Sequence, residues 1–161
     1  MLNVLKSIIL YSIGYAMIQR LQTLLYFLSA STLAALFFLP FAESATPIEG
    51  FFNDQLFSVS DHPILATLTV MGILGGLIAV FLYKNRTLQL RLGYLIITIS
   101  VLIPCLSVWL LYSEETAFNG TVEIKDRLGM FLPVVAIVLA VLANRFVKKD
   151  EQLIQSMDRL R

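Results

Sequence analysis

The sequence predicts an all-α membrane protein: a four-transmembrane-helix up-down bundle with a small extracytoplasmic β-cap. Three observations carry that reading. Hydrophobic residues make up 58% of the 161 residues and charged ones 14%, whereas soluble domains average roughly 45–50% and about 25%. Four uncharged apolar stretches approach the length of about 20 residues that a spanning helix needs. The basic residues, finally, are segregated to one side of the layout those stretches define.

The spans are read at about 21–42, 64–83, 94–112 and 130–147, forming one domain over 21–147. Short connections between apolar helices favour antiparallel neighbours. Residues 1–20 form a separate N-terminal segment and 148–161 a cytoplasmic tail. Lys6, Arg20, Lys84, Arg86, Arg91, Arg145, Lys148, Lys149, Arg159 and Arg161 share one side, and only Lys125 and Arg127 fall on the other. Lysine and arginine are retained on the cytoplasmic face of a membrane protein. Both termini are therefore expected in the cytoplasm. Glu43, Glu49, Asp54, Asp61, Glu114, Glu115, Glu123 and Asp126 lie outside. Tyr26, Tyr83, Tyr94, Trp109 and Tyr112 fall near span ends, where amphipathic rings settle at the headgroups.

Composition also excludes chemistry. Cys105 is the only cysteine and His62 the only histidine. No internal disulfide can form, and zinc, which takes about four N, S or O ligands, has too few. No cofactor is expected. The net charge of +1 gives no reason to expect a nucleic-acid partner. His62 beside Asp61 has no nucleophile fixed next to it by sequence, and Glu114-Glu115 reads as a solvated acidic loop. The spans hold no ionisable group before Arg145, whereas ion pathways place such groups in the membrane.

The first twenty residues allow two readings. Ser7 to Gln19 is apolar but too short to span, and extends the first helix or lies along the interface. The rival is a signal peptide, with Lys6, an apolar core at Ile8 to Ile13, and Gly14-Tyr15-Ala16 as the cleavage site. That rival would invert every charged loop.

The run Met17-Ile18-Gln19-Arg20-Leu21-Gln22-Thr23 resembles the start of an uncharacterised bacterial family, domain of unknown function 4293. The ending resembles it too, in Leu142-Ala143-Asn144-Arg145, Lys148-Lys149-Asp150-Glu151 and Asp158-Arg159-Leu160-Arg161. The likeness covers residues 17–161. It implies a bacterial inner-membrane protein with four spans and supplies no activity. The sixteen residues before Met17 depart from the pattern, as an added turn or two of helix or as a product of an upstream start.

Outside the membrane, the 43–62 loop mixes Pro47, Gly50, Asn53 and Asp54 with apolar Phe51, Phe52, Leu56, Phe57 and Val59. The other outer loop holds Asn119-Gly120 between β-prone residues, a hairpin signal because both accept positive φ. Together these predict the β-cap, against two irregular loops.

Within the membrane, Gly72 and Gly76 make a GxxxG pair, and Gly75 and Ala79 a second small-residue stripe. Ala136 and Ala140 offer another on the fourth span. Small residues let helix backbones approach closely, so these stripes pack the bundle or bind a partner subunit. Pro104 removes a backbone hydrogen bond and predicts a kink in the third span, with Ser100 placed to satisfy the freed carbonyl. The fourth helix should run on to about residue 159, carrying Leu153, Ile154, Met157 and Leu160 on an amphipathic tail suited to an interface. The function these features favour is that of a non-catalytic accessory or assembly subunit of a larger membrane complex, with the bilayer and partner subunits as its contacts. The alternative is binding or transport of an apolar molecule, a lipid or a quinone, within the bundle.

Overall fold

Apolar and small residues recur along each helix at the spacing that places them on one face, and this periodicity assembles the bundle. The computed structural model describes residues 21–45, 54–83, 85–113 and 124–158. Four helices run through them: α1, described over Leu21–Phe37, α2 (Pro63–Phe81), α3 (Arg86–Ser113) and α4 (Leu132–Asp158). Three short strands, β1 (Ala42–Ser44), β2 (Leu56–Phe57) and β3 (Ile124–Asp126), gather at one end.

Buried positions follow the helical repeat. On α1 they are Gln22, Tyr26, Ser29, Ala30, Leu33 and Leu36; on α4, Ala136, Ala140, Ala143, Val147 and Asp150. The α3 helix contributes Ile96, Ile99 and Ile103. The opposite faces are apolar as well: Phe27, Met71, Leu74, Ile78, Leu102, Trp109, Val134 and Val138 are all exposed. Helices of a soluble bundle carry polar residues there. The α2, α3 and α4 helices are long and apolar enough to cross a membrane, and α1 is a shorter apolar helix.

The helix ends have local causes. The α1 helix tightens into a 3-10 turn at Ala35–Phe37. Pro40 then drives the residue before it out of the helical region. The helix therefore stops at Phe37, short of residue 42, where the predicted first span ends. Phe41 and Ala42 are buried at the sheet end instead, with the Phe41 ring 5.9 Å from that of Phe57. His62 caps α2 by accepting from the Ile64 N–H at 3.2 Å, and Pro63 follows at the first turn, where its missing N–H leaves no bond unmade. Asn85 caps α3 in the same way, accepting from the Leu88 N–H. That cap starts α3 at Arg86, eight residues ahead of the predicted third span. The helix then runs unbroken past Pro104.

The sheet has the order β2-β1-β3, with both pairings antiparallel. Ala42 stands opposite Phe57 and Asp126, and Glu43 opposite Leu56 and Lys125. The central strand thus opens at Ala42, the residue expected to end the first span. The Asn119-Gly120 hairpin signal and Asn53 lie outside the described residues. In the first loop the described turn falls at Asp54-Gln55, where Gln55 has φ of 65° and Asp54 accepts from the Leu56 N–H. An ion pair between Arg127 and Glu43 ties β1 to the approach of α4.

Candidate functional site

The small-residue stripes are occupied from within the chain. A Cβ on Gly72 would meet Leu33 Cδ1 at 2.8 Å and Ile99 Cγ2 at 3.2 Å, and one on Gly76 would meet Ala30 Cβ at 2.8 Å, so both glycines seat α1 against α2 and Gly72 also admits α3. Gly75 faces α3, where a Cβ would make ordinary contact with Leu95 and Ile96. Ala79, Ala136 and Ala140 are fully buried. The Ala136 carbonyl accepts from Ser29 Oγ at 3.0 Å, joining α1 to α4.

The role expected of Ser100 is not what the structure holds. Ser100 is buried, and its Oγ makes no hydrogen bond. Ser107 and Thr98 instead bond back to the carbonyls of Ile103 and Tyr94 on their own helix. On the tail, the α4 backbone is helical through Asp158. The side chains of Leu153, Ile154 and Met157, and all of Leu160, lie outside the described residues, as do residues 1–20 and Glu114-Glu115.

A polar cluster that hydropathy does not reveal lies at the end of the bundle opposite the sheet. Tyr26 is not at a surface: it is fully buried, and its hydroxyl donates to Asn144 Oδ1 at 2.5 Å. The same hydroxyl is 3.4 Å from the Gln89 carbonyl. Gln89, fully buried on α3, donates through Nε2 to the Ala79 carbonyl near the end of α2. Gly93 makes room for this junction, since a Cβ there would strike Asn144 Oδ1 and stand 2.8 Å from Tyr26 Oη. Four helices thus meet at a tyrosine, a glutamine and an asparagine. Gln22 is buried one turn before Tyr26. Its Nε2, Gln89 Oε1 and Asn144 Nδ2 have no hydrogen-bond partner.

Beside the cluster, Arg86 reaches Asp150. Its Nη2 is 3.0 Å from Asp150 Oδ2, and its Nη1 donates to the Asp150 backbone carbonyl at 3.3 Å. The Oδ2 approach satisfies distance but is poorly aligned, so neither carboxylate oxygen is fully hydrogen-bonded. The pair is an electrostatic contact at the start of α3, and Asp150 is 1% exposed. In the sequence both residues read as loop and tail charges.

Chemically, the cluster offers amides, one phenol and one ion pair. Tyr26, Gln89, Asn144 and the Arg86–Asp150 pair each join one helix to another. Among the described residues no group of three His, Cys, Asp or Glu could hold a metal ion. His62 serves as the cap of α2, through Nδ1 to the Ile64 N–H.

Residues 18–160 match the family described as domain of unknown function (DUF4293). No curated protein and no solved structure matches the chain.

Proposed function

We propose that this chain, which belongs to the DUF4293 family, is a non-catalytic accessory or assembly subunit of a larger complex in the bacterial inner membrane. The observation that carries the reading is the direction of the polar groups. Tyr26, Ser29, Gln89 and Asn144 point inward and tie helix to helix, while the outer faces of the helices between the basic end and the sheet are mostly large apolar residues. Polar groups spent as interhelical ties stabilise a scaffold. A broad apolar exterior is suited to lipid and to other membrane helices. In this reading the apolar stretch of each helix crosses the bilayer, the basic end with Arg86, Arg91, Arg145 and Lys148, where the outer faces turn polar, faces the cytoplasm, and the sheet lies outside.

The test is affinity purification of the tagged protein at native expression in mild detergent, followed by mass spectrometry. Stoichiometric recovery of the same membrane subunits from independent preparations supports the accessory role. Recovery of the chain alone, or as a homo-oligomer, under conditions that keep known complexes whole would sink it.

A further inference from the structure

The α3 and α4 helices leave a shallow groove of about 190 Å³ between them at the basic end, lined by Tyr94, Ile97, Val141, Asn144, Arg145 and Lys148. We propose that this groove binds the phosphate headgroup of an anionic phospholipid.

Three features converge on that ligand. Arg145 and Lys148 stand three residues apart on α4, so both lie on the same helix face. The Lys148 ammonium is held 5.3 Å from the centre of the Tyr94 ring, a cation–π contact that places the charge at the groove. Asn144 lines the groove, is 4% exposed, and carries an Nδ2 with no hydrogen-bond partner. A buried amide donor without a partner is unfavourable, and an acceptor that reaches it is favoured. A phosphate oxygen is an acceptor that two cations would draw to this place.

The lower part of the groove selects a lipid over a free anion. Ile97 and Val141 form its apolar floor. One turn further from the basic end, Val101 on α3 and Val138 on α4 continue the stripe, with Val134 beyond, and all three are exposed. This is a track for an acyl chain descending from a headgroup fixed by Arg145 and Lys148. The assignment rests on the reading that the helices span a membrane with this end at headgroup depth.

The experiment is native mass spectrometry of the full-length protein in detergent, titrated separately with phosphatidylglycerol and phosphatidylcholine and challenged with inorganic phosphate. Phosphatidylglycerol should bind in preference to phosphatidylcholine. The double variant Arg145→Gln/Lys148→Gln should bind it roughly thirtyfold more weakly, since each basic residue held at an anionic headgroup is worth about fivefold. Lys149→Gln, an exposed lysine outside the groove, should leave binding unchanged. Equal binding of the two lipids, or undiminished binding by the double variant, overturns the proposal. Displacement by inorganic phosphate at concentrations matching the lipid assigns a free-anion site and overturns the lipid assignment. Resistance of the reconstituted protein to alkaline extraction from vesicles tests the spanning reading separately, so the two failures are distinguishable.

Discussion

Tyr26 and Asn144, 118 residues apart, share a 2.5 Å hydrogen bond at the point where the first helix meets the last. Both residues are buried. The bond closes the bundle, because no loop joins α1 directly to α4. Tyr26→Phe should therefore destabilise the protein by about 1 kcal/mol, the usual scale of an interhelical hydrogen bond in a membrane bundle. Replacing both partners, as Tyr26→Phe/Asn144→Leu, should cost less than the two single changes added together, because no unpaired acceptor remains. Thermal unfolding of the four proteins in one detergent measures the coupling, and strict additivity would refute it.

The glycines divide by what surrounds them. Gly93→Ala drives a methyl group into Asn144 and Tyr26, both part of a fixed hydrogen bond, so it should lower the melting temperature. Gly75→Ala meets only ordinary contacts with Leu95 and Ile96. There alanine gains up to about 1 kcal/mol of helix propensity, and the melting temperature should hold or rise. A melting curve for each variant separates them, and equal losses would contradict this difference in packing.

The Arg86–Asp150 contact is sheltered on the carboxylate side, with the two side chains 16% and 1% exposed. Asp150→Ala removes the carboxylate while the Arg86 bond to the backbone carbonyl of residue 150 persists, and should destabilise by roughly 2 kcal/mol, below the 3–5 kcal/mol of a fully buried pair because Arg86 keeps that bond and some water. The double variant Arg86→Met/Asp150→Ala should recover part of that loss. Because the pair is largely shielded, the difference between wild type and Asp150→Ala should change little between low and high salt. A loss that vanishes in high salt would mark the pair as a surface contact.

Topology is open to a direct test, since Cys105 is the only native cysteine. On a Cys105→Ser background, Asp54→Cys at the sheet end should react with a membrane-impermeant maleimide in intact cells after outer-membrane permeabilisation. Lys149→Cys should react only once the inner membrane is opened. The reverse pattern would invert the assignment drawn from the basic residues.

Hydropathy makes the four helices legible, because a run of uncharged apolar residues admits few other structures. It places the ends less well. The apolar run through Phe37-Phe38-Leu39 looks continuous with Phe41-Ala42, and Pro40 is the break that ends the helix and frees the central strand. The start of α3 is hidden because Arg91 and Gln89 interrupt the apolar count, although a helix extends past the apolar window wherever its backbone is capped, as Asn85 does here. The small-residue stripes are readable as close-packing positions, but only the folded arrangement assigns Gly76 to α1, Gly75 to α3 and Gly72 to both. The polar cluster leaves a faint trace in Gln22 and Tyr26, which are spaced i, i+4. Its other members come from helices 63 and 118 residues further on, and a separation that long leaves no local pattern. Tyrosine near a span end also has an ordinary role at headgroups, and that role conceals a buried one.

Gly129 provides the test of how the sheet is held to the bundle. It sits in the 3-10 turn Leu128–Phe131 that leads into α4, is buried, and donates its N–H to the Pro40 carbonyl at 3.1 Å. A Cβ there would collide with the carbonyl oxygens of Leu39 and Pro40 and lie 2.7 Å from the Pro40 carbonyl carbon. Backbone cannot move aside as a flexible side-chain tip can, so Gly129→Val must push the approach of α4 away from the end of α1. The neighbouring bond from the Arg127 N–H to the Phe41 carbonyl and the pairing of β1 with β3 should fail with it. The helices do not depend on that contact, so helical circular dichroism should change little. Hydrogen exchange at Glu43 and Lys125, the facing pair of β1 and β3, should accelerate, since local opening tracks the loss of local contacts. Unchanged protection at these two amides in a folded Gly129→Val protein would show that the sheet does not need the close approach of this turn to Pro40.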